Sequence, residues 1–263
     1  MTATDHIVNM HAGPYEETEN ERDYRKGIWK QPQSILGIQA SPRKTRGATE
    51  VIYSGFASGL KRGGAVVETI YLGDTNISPC IGCFRCWLDE KGACPLKDDM
   101  EAIIERLFTA EILVLATPLY MDGMSGLLKN FIDRLMPINH PSIFPREGRS
   151  LHPCCRSRMP NLVLVSVCGF YEKENFDPLV NQLSRFSVNM HMPLLAPILR
   201  PESLSMRSPE AASRVTEVTR AVQEAGEQIL QEGRVSRELL DTISQPLLTR
   251  EQYGILGKTW WRR

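Results

Sequence analysis

Residues 34–49 read SILGIQASPRKTRGAT, and this stretch decides the fold. The run from Ser34 to Ala40 is short and almost wholly apolar, which is typical of a buried strand in a parallel sheet. A loop rich in hydroxyls and cations follows from Ser41 to Thr49, and apolar residues at helical spacing continue from Val51 to Leu60. A strand, such a loop and a helix start together predict a phosphate site, because the first N–H groups of a helix attract anions.

The same alternation of strands and helices continues along the chain. Further apolar runs predict strands at residues 65–72, 111–117, 161–168 and 193–199, and helical patterns separate them. We therefore predict an α/β fold with a right-handed, doubly wound five-stranded parallel sheet of order 2-1-3-4-5. Residues 137–160 are predicted to form a long irregular loop. Its four arginines could bind an anionic metabolite, although a solvated loop explains them more simply.

Two helix starts are predicted from capping residues. Asp98 is expected to be an N-cap with Glu101 three residues later, as in a capping box. Ser208 is expected to cap a helix that has Pro209 at its first position.

Composition limits the classes of function. The chain has 263 residues, 42% of them apolar, and 31 basic residues balance 31 acidic ones. The zero net charge gives no argument for binding nucleic acid or an anionic membrane, and no run of 18 apolar residues could span a bilayer. The N-terminal stretch has no apolar segment of a signal peptide, so we expect a cytoplasmic protein. In that reducing compartment, clustered cysteines are expected to bind metal rather than form disulfides.

Four of the seven cysteines fall within fifteen residues, at Cys80, Cys83, Cys86 and Cys94. Two Cys-x2-Cys steps wrap the backbone around a compact centre, and Gly82 allows a tight turn between the first two ligands. Thiolates select iron–sulfur clusters, zinc or copper(I). A [4Fe–4S] cluster is the favoured prediction, and the alternatives are a zinc site or a set of thiols that only packs. Adjacent Cys154 and Cys155 are not expected to form a second metal site.

The phosphate loop has neither GxxxxGK[ST] nor GxGxxG, so it suits a mononucleotide, and flavodoxin-like folds bind FMN at the carboxyl ends of their strands. The loop from Thr117 to Met124 would then approach the flavin ring with its N–H groups. Tyr120 could stack on the ring or only cover the core. Gly169 and Phe170 would line the other side of the ring, and Cys168 is most simply a small buried hydrophobic residue.

These motifs together resemble the NAD(P)H-dependent FMN reductases of the flavodoxin-like superfamily and, within it, the iron–sulfur flavoproteins. The resemblance covers about residues 34–200. It implies FMN and a [4Fe–4S] cluster bound by Cys80, Cys83, Cys86 and Cys94. The residues implied to bind FMN are Ser41, Arg43, Lys44, Thr45, Gly47, Ala48, Thr49, Pro118, Leu119, Tyr120, Met121, Asp122, Gly123, Cys168, Gly169 and Phe170.

The expected function is that of an FMN-dependent oxidoreductase that moves electrons between a donor, ferredoxin or NAD(P)H, and a small acceptor. The flavin itself performs the redox step, so no catalytic side chain is assigned. Three alternatives stay open: a cluster-free NAD(P)H-dependent FMN or quinone reductase, a flavin dehydrogenase of an anionic metabolite, and a zinc-stabilised structural protein. The resemblance also implies a homodimer or homotetramer.

The predicted organisation has three parts. Residues 1–32 form an N-terminal arm, and residues 33–232 form the flavodoxin-like FMN-binding domain with a cysteine loop at 74–97. Residues 233–263 form an apolar tail that is expected to pack on the domain or on a neighbouring subunit.

Overall fold

The computed structural model describes residues 31–88, 92–146, 148–156 and 158–260. Most of the predicted N-terminal arm, residues 1–30, lies outside these ranges, as do the last three residues of the predicted tail. Within the described ranges, no helix combines the length and the apolar character needed to cross a membrane.

A five-stranded parallel sheet forms the centre of the molecule. Its strands are β1 (Ser34–Gln39), β2 (Val66–Tyr71), β3 (Ile112–Pro118), β6 (Asn161–Val167) and β7 (Leu194–Arg200). They lie in the order β2-β1-β3-β6-β7. The strands β4 (Phe144–Arg146) and β5 (Arg149–Leu151) form a separate small hairpin. If these two strands are left out of the numbering, the order of the main sheet is 2-1-3-4-5, which confirms the prediction.

Eight helices accompany the sheet in the part of the chain that the structure describes. They are α1 (Ala48–Arg62), α2 (Arg85–Leu88), α3 (Met100–Thr109), α4 (Gly126–Asp133), α5 (Asp177–Asn189), α6 (Ala212–Glu232), α7 (Arg237–Ser244) and α8 (Arg250–Trp260).

Each face of the sheet has its own apolar core. Leu36 and Ile38 of β1 belong to a cluster with residues of α3, α4 and α5, whereas Ile35 belongs to one with residues of α1, α6 and α7. Successive side chains of a strand point to opposite faces, so a strand covered on both sides must be apolar throughout. All seven residues of β3 are buried for this reason.

Glycines allow α1 and α6 to approach each other closely. A Cβ at Gly59 would lie 1.9 Å from the backbone oxygen of Gln223, and one at Gly226 would lie 2.3 Å from that of Phe56. Neither position can hold a side chain without moving a helix. The C-terminal helices continue this layer, since Leu247 and Leu248 are buried in the same core and Tyr253 of α8 packs against it.

Three local predictions differ from the structure. Residues 137–160 are not irregular throughout, because they contain the hairpin β4–β5. Asp98 is not an N-cap: helix α3 has Asp99 in that position, and Asp98 instead faces Arg134. Ser208 precedes a short 3-10 turn at Pro209–Ala211 rather than the helix itself, and its hydroxyl bonds to Glu210.

Candidate functional site

The loop after β1 is folded back on itself around Ser41. The buried Ser41 donates its N–H to Oε1 of Gln39 at 2.7 Å, and its Oγ accepts from the N–H of Arg43 at 3.2 Å. Its carbonyl oxygen accepts from the N–H of Lys44 at 3.0 Å. A Cβ at Gly47 would lie 2.9 Å from the Ser41 Oγ, so glycine is needed for this close packing. The loop is therefore held in one shape by hydrogen bonds from its backbone N–H groups to the side chains of Gln39 and Ser41 and to the Ser41 carbonyl.

Helix α1 begins directly after this loop with Gly47 as its N-cap, and no side chain caps its first N–H groups. Such a helix end favours an anion. Around it lie Thr49, which is buried, and Arg43 and Thr45, which are exposed. Lys44 adopts a positive φ of 49° and forms an ion pair with Asp74, the first residue of the predicted cysteine loop.

Gln39 supports this loop, and our sequence reasoning missed it. It is fully buried at the end of β1, and its Nε2 donates to the carbonyl of Lys44 at 3.3 Å and to Oε2 of Glu50 at 3.1 Å. The available signal was a single amide at the end of an otherwise apolar strand. A buried amide must find hydrogen-bond partners, and here the loop provides them.

The loop after β3 contains a tight turn. Tyr120 and Gly123 exchange two backbone hydrogen bonds of 2.9 and 3.0 Å, and the residues between them, Met121 and Asp122, have φ of 47° and 62°. Positive φ at both central positions is the type I′ arrangement, which non-glycine residues adopt at a cost. The N–H groups of Tyr120 and Gly123 are used within the turn, so they are not available to a flavin. The Met121 side chain is 98% exposed.

Ser125 connects this second loop to the first. Its hydroxyl donates to the carbonyl of Ala40 at 2.7 Å and accepts from the N–H of Leu128, which makes it the N-cap of α4. Its N–H donates to Oγ1 of Thr117 at 3.0 Å. One buried serine therefore fixes the ends of β1 and β3 relative to each other, and the sequence analysis did not single it out.

The loop after β6 is held in place by hydrogen bonds to the end of β7 and to the C-terminal segment. The N–H of Cys168 donates to the carbonyl of Arg200, and the carbonyl of Gly169 accepts from the Tyr253 hydroxyl at 3.0 Å. Cys168 is buried, as predicted, and burial raises the pKa of its thiol to about 11. Phe170 is 58% exposed beside it.

Arg200 and Glu202 are both fully buried behind this third loop. The Arg200 guanidinium donates to the carbonyls of Ile243 and Gln245, each at 2.7 Å, and Glu202 accepts from the N–H of Leu247 at 2.5 Å. Burial lowers the pKa of Arg200 to about 10, partly offset by Glu202. This pair attaches the segment after α7 to the end of the sheet.

The four predicted metal ligands line one cavity of about 550 Å³. Cys80 and Cys83 are exposed, whereas Cys86 and Cys94 are partly buried. Burial raises the pKa of Cys86, and the neighbouring thiols of Cys94, Cys83 and Cys80 add to that effect. Among the described residues, however, no three histidine, cysteine or acidic side chains are arranged closely enough to hold a metal ion.

A buried ion pair closes the base of the cysteine segment. Arg134, after α4, donates to both oxygens of Asp98 at 2.6 and 3.0 Å and to the carbonyl of Ser78 at 2.7 Å. Its Nη2 also lies 3.5 Å from Sγ of Cys94. Burial raises the pKa of Asp98, but the bonds from Arg134 and from the N–H groups of Ser78 and Met100 outweigh it and lower the pKa to about 2.

The end of the hairpin β4–β5 packs against the cysteine segment. The Trp87 ring, between the third and fourth cysteines, packs against the His152 ring at a centroid distance of 4.8 Å. The indole N–H of Trp87 donates to the carbonyl of Met136 at 3.2 Å.

The parallel order β2-β1-β3-β6-β7, with its loops at one edge, defines a flavodoxin-like α/β protein. Residues 34–148 match the model of the NADPH-dependent FMN reductases. An iron–sulfur flavoprotein of Methanocaldococcus jannaschii is 35% identical over 104 residues, 40% of this chain and 52% of the relative. One of Archaeoglobus fulgidus is 31% identical over 117 residues, 44% of this chain and 52% of the relative. The chain thus spans about half the length of these curated relatives.

Solved structures share the fold at low identity. The NAD(P)H:quinone oxidoreductase from Methanothermobacter marburgensis superposes with a TM-score of 0.56 at 15% identity, over 76% of this chain and 96% of that one. An FMN-dependent NADH-azoreductase from Bacillus anthracis, in complex with FMN, gives 0.55 at 16% identity, over 75% of this chain and 99% of that one. At these identities the likeness concerns the fold alone.

Proposed function

We propose that this protein is an FMN-dependent oxidoreductase with a [4Fe–4S] cluster, which passes electrons between ferredoxin or NAD(P)H and a small acceptor. One observation carries the proposal: the loops predicted to hold FMN follow the neighbouring strands β1, β3 and β6, and the cysteine segment follows β2 at the same edge. When bound, the flavin supplies two-electron chemistry and the cluster transfers single electrons.

The first loop supports the assignment of the FMN phosphate. Because Ser41 Oγ accepts from the N–H of Arg43, its own proton is free to be donated to a phosphate oxygen. The uncapped start of α1 would supply N–H groups, and Arg43 would supply charge. We propose that Lys44, now paired with Asp74, would also reach the phosphate, since both partners of this ion pair are partly exposed.

The second and third loops would hold the ring. Pro118, Leu119 and the turn 120–123 would contact one edge, and the exposed Tyr120 and Phe170 rings would cover its faces. The hydrogen bonds of Ser125 to β1 and β3 keep these loops in place before the cofactor arrives, so little ordering is lost on binding.

Four thiols line the cysteine cavity and soft ligands suit iron–sulfur centres, so the type and number of donors support the proposed cluster. Arg134 would contribute a fixed positive charge beside Cys94, with the buried Asp98 holding it in place. A cluster bound by four thiolates is anionic, so this cation would stabilise it.

The test is anaerobic purification followed by quantification of iron, sulfide and FMN. We expect one FMN and about four irons and four sulfides per chain. Cys86→Ser is expected to lose most of the iron while keeping FMN. Cys155→Ser, which changes an exposed cysteine outside the quartet, is the matched control and should keep both.

Other outcomes reject parts of the proposal. FMN without iron would reject the cluster and favour the NAD(P)H-dependent FMN or quinone reductase. One zinc per chain without FMN would reject the redox function and favour the structural alternative. The donor is identified by anaerobic reduction with NADH, NADPH or reduced ferredoxin in separate assays, and the proposed homo-oligomer by sedimentation.

A further inference from the structure

Three side chains beside the first loop form one chain of hydrogen bonds. Gln39 is the last residue of β1, Tyr71 is the last residue of β2, and the two are paired in the register of these strands. Glu50 lies in the first turn of α1. Its carboxylate accepts from the Tyr71 hydroxyl at 3.0 Å and from Nε2 of Gln39 at 3.1 Å. The chain thus joins the ends of two strands to the start of the helix that follows the first loop.

The amide of Gln39 has only one orientation that satisfies all of its partners. Its Oε1 accepts from the N–H of Ser41 at 2.7 Å, and its Nε2 donates to the carbonyl of Lys44 at 3.3 Å. A carbonyl and a carboxylate only accept, and a backbone N–H only donates. Rotating the fully buried amide by half a turn would place its oxygen against two acceptors and its nitrogen against a donor, which is costly. Glu50 therefore helps to select the orientation that bonds both Ser41 and Lys44.

The turn from Ser41 to Lys44 takes its shape from this amide. Gln39 bonds the N–H at the start of the turn and the carbonyl at its end. Within the turn, the Ser41 hydroxyl accepts from the N–H of Arg43 at 3.2 Å, so its own proton stays free for a ligand. A site whose groups are in place before the ligand arrives loses less affinity to ordering. Loss of the amide should therefore weaken binding at this turn without affecting the loops after β3 and β6.

We propose that Gln39 and Glu50 are positioning residues of the phosphate site, which hold the turn from Ser41 to Lys44 in the form that binds the phosphate of FMN. They thereby determine how strongly the protein prefers FMN to riboflavin. This inference rests on the proposed function, because it takes the first loop to be the phosphate site. Glu50 has the same sign of charge as a phosphate, so it acts through Gln39 and not on the phosphate itself.

The affinities for FMN and for riboflavin test the proposal, since the two ligands differ only in the phosphate. Both are measured by fluorescence quenching on the flavin-free full chain. Gln39→Leu removes all three hydrogen bonds of the amide, so the affinity for FMN should fall at least about tenfold with little change for riboflavin. Gln228→Leu is the matched control, because Gln228 also bonds a backbone N–H and a carboxylate, those of Ser236 and Glu232, but lies near the end of α6. This variant should keep both affinities.

A pair of substitutions at Glu50 separates the hydrogen bond from the charge. Glu50→Gln and Glu50→Leu both remove the negative charge, but only the glutamine side chain can still accept from Gln39. We expect the preference for FMN to be about fivefold weaker in Glu50→Leu than in Glu50→Gln, because one hydrogen bond corresponds to a factor of about twofold to tenfold. Glu50 is only partly buried, so this pair decides the question even when Gln39→Leu does not fold.

The outcomes separate this inference from the proposed function. If the unmodified chain prefers FMN, but Gln39→Leu keeps that preference or the two Glu50 variants have equal preferences, the inference is wrong and the proposed function stands. Equal losses of FMN and riboflavin affinity in Gln39→Leu would mean that the amide only stabilises the fold, and would also overturn the inference. An unmodified chain that binds riboflavin as tightly as FMN would overturn the assignment of the phosphate site, and the inference with it.

Discussion

Replacing Asp98 with asparagine tests whether the buried ion pair holds the base of the cysteine segment. The side chains of Arg134 and Asp98 are 1% and 2% exposed, so Asp98→Asn leaves a buried guanidinium without its counter-charge. Breaking a buried pair in this way costs about 3–5 kcal/mol. The pKa of Asp98 gives an independent figure: a fall from 3.8 to about 2 corresponds to about 2 kcal/mol at neutral pH.

The assay is urea denaturation of the unmodified chain and the variant at pH 7. We expect the free energy of unfolding to fall by at least about 2 kcal/mol without a change in the denaturant slope. Asp133→Asn is the matched control, because Asp133 pairs with Lys129 on α4 but both side chains are more than 40% exposed. That exposed pair should contribute below about 0.5 kcal/mol.

The same pair predicts a pH dependence. Because the pKa of Asp98 is lower in the folded than in the unfolded state, its contribution is complete above about pH 5 and is lost as the pH falls towards 2. The stability difference between the unmodified chain and Asp98→Asn should therefore shrink by about 2 kcal/mol between pH 6 and pH 2. A loss at pH 7 no larger than that of Asp133→Asn, or a pH-independent difference, would refute this reasoning.

Three further substitutions test other features. Gly47→Ala places a Cβ 2.9 Å from a buried hydroxyl of the proposed phosphate loop, so FMN affinity should fall about tenfold. The affinity is measured by fluorescence quenching. The control Gly126→Ala has open space around the new Cβ and should leave the FMN affinity unchanged. Gly59→Ala should destabilise the fold by about 1–3 kcal/mol because the added Cβ would clash with the backbone of α6. Gly254→Ala, in an open position of α8, should stabilise the fold by about 0.5–1 kcal/mol. Similar calorimetric melting temperatures for these two variants would contradict this expectation. Arg200→Met should cost about 3–5 kcal/mol in urea titrations, since Glu202 would stay buried without a counter-charge. A loss below about 1 kcal/mol would mean that neither the charge of Arg200 nor its bonds to the backbone carbonyls hold the segment.

The sheet could be predicted from the sequence because its signal is local. Strand β3 is buried at every position, and a nearly all-apolar run such as 111–117 is enough to identify it. Once the strands are ordered, the loops after them must meet at one edge, which is why the candidate cofactor loops could be proposed without coordinates.

The polar supports of the site could not be predicted in the same way. Asp98 and Arg134 are 36 residues apart, and nothing near either of them distinguishes a buried ion pair from a helix cap. Ser125 likewise appears as a helix cap, yet its hydroxyl bonds Ala40, 85 residues earlier. Such contacts depend on where the sheet brings distant segments together. The hairpin was missed because its strands have only three residues each, too few for a periodic pattern.

The guanidinium of Arg200 has a consequence for biosynthesis. Its two carbonyl partners lie 43 and 45 residues later in the chain, so the last strand emerges from the ribosome before they have been made. A cation without partners is costly to bury, so we expect β7 to join the sheet only after residue 245 is available. Ribosome-bound chains that expose residues up to about 240 should thus be digested by protease more readily than chains that expose about 250, and equal resistance would contradict this order of events.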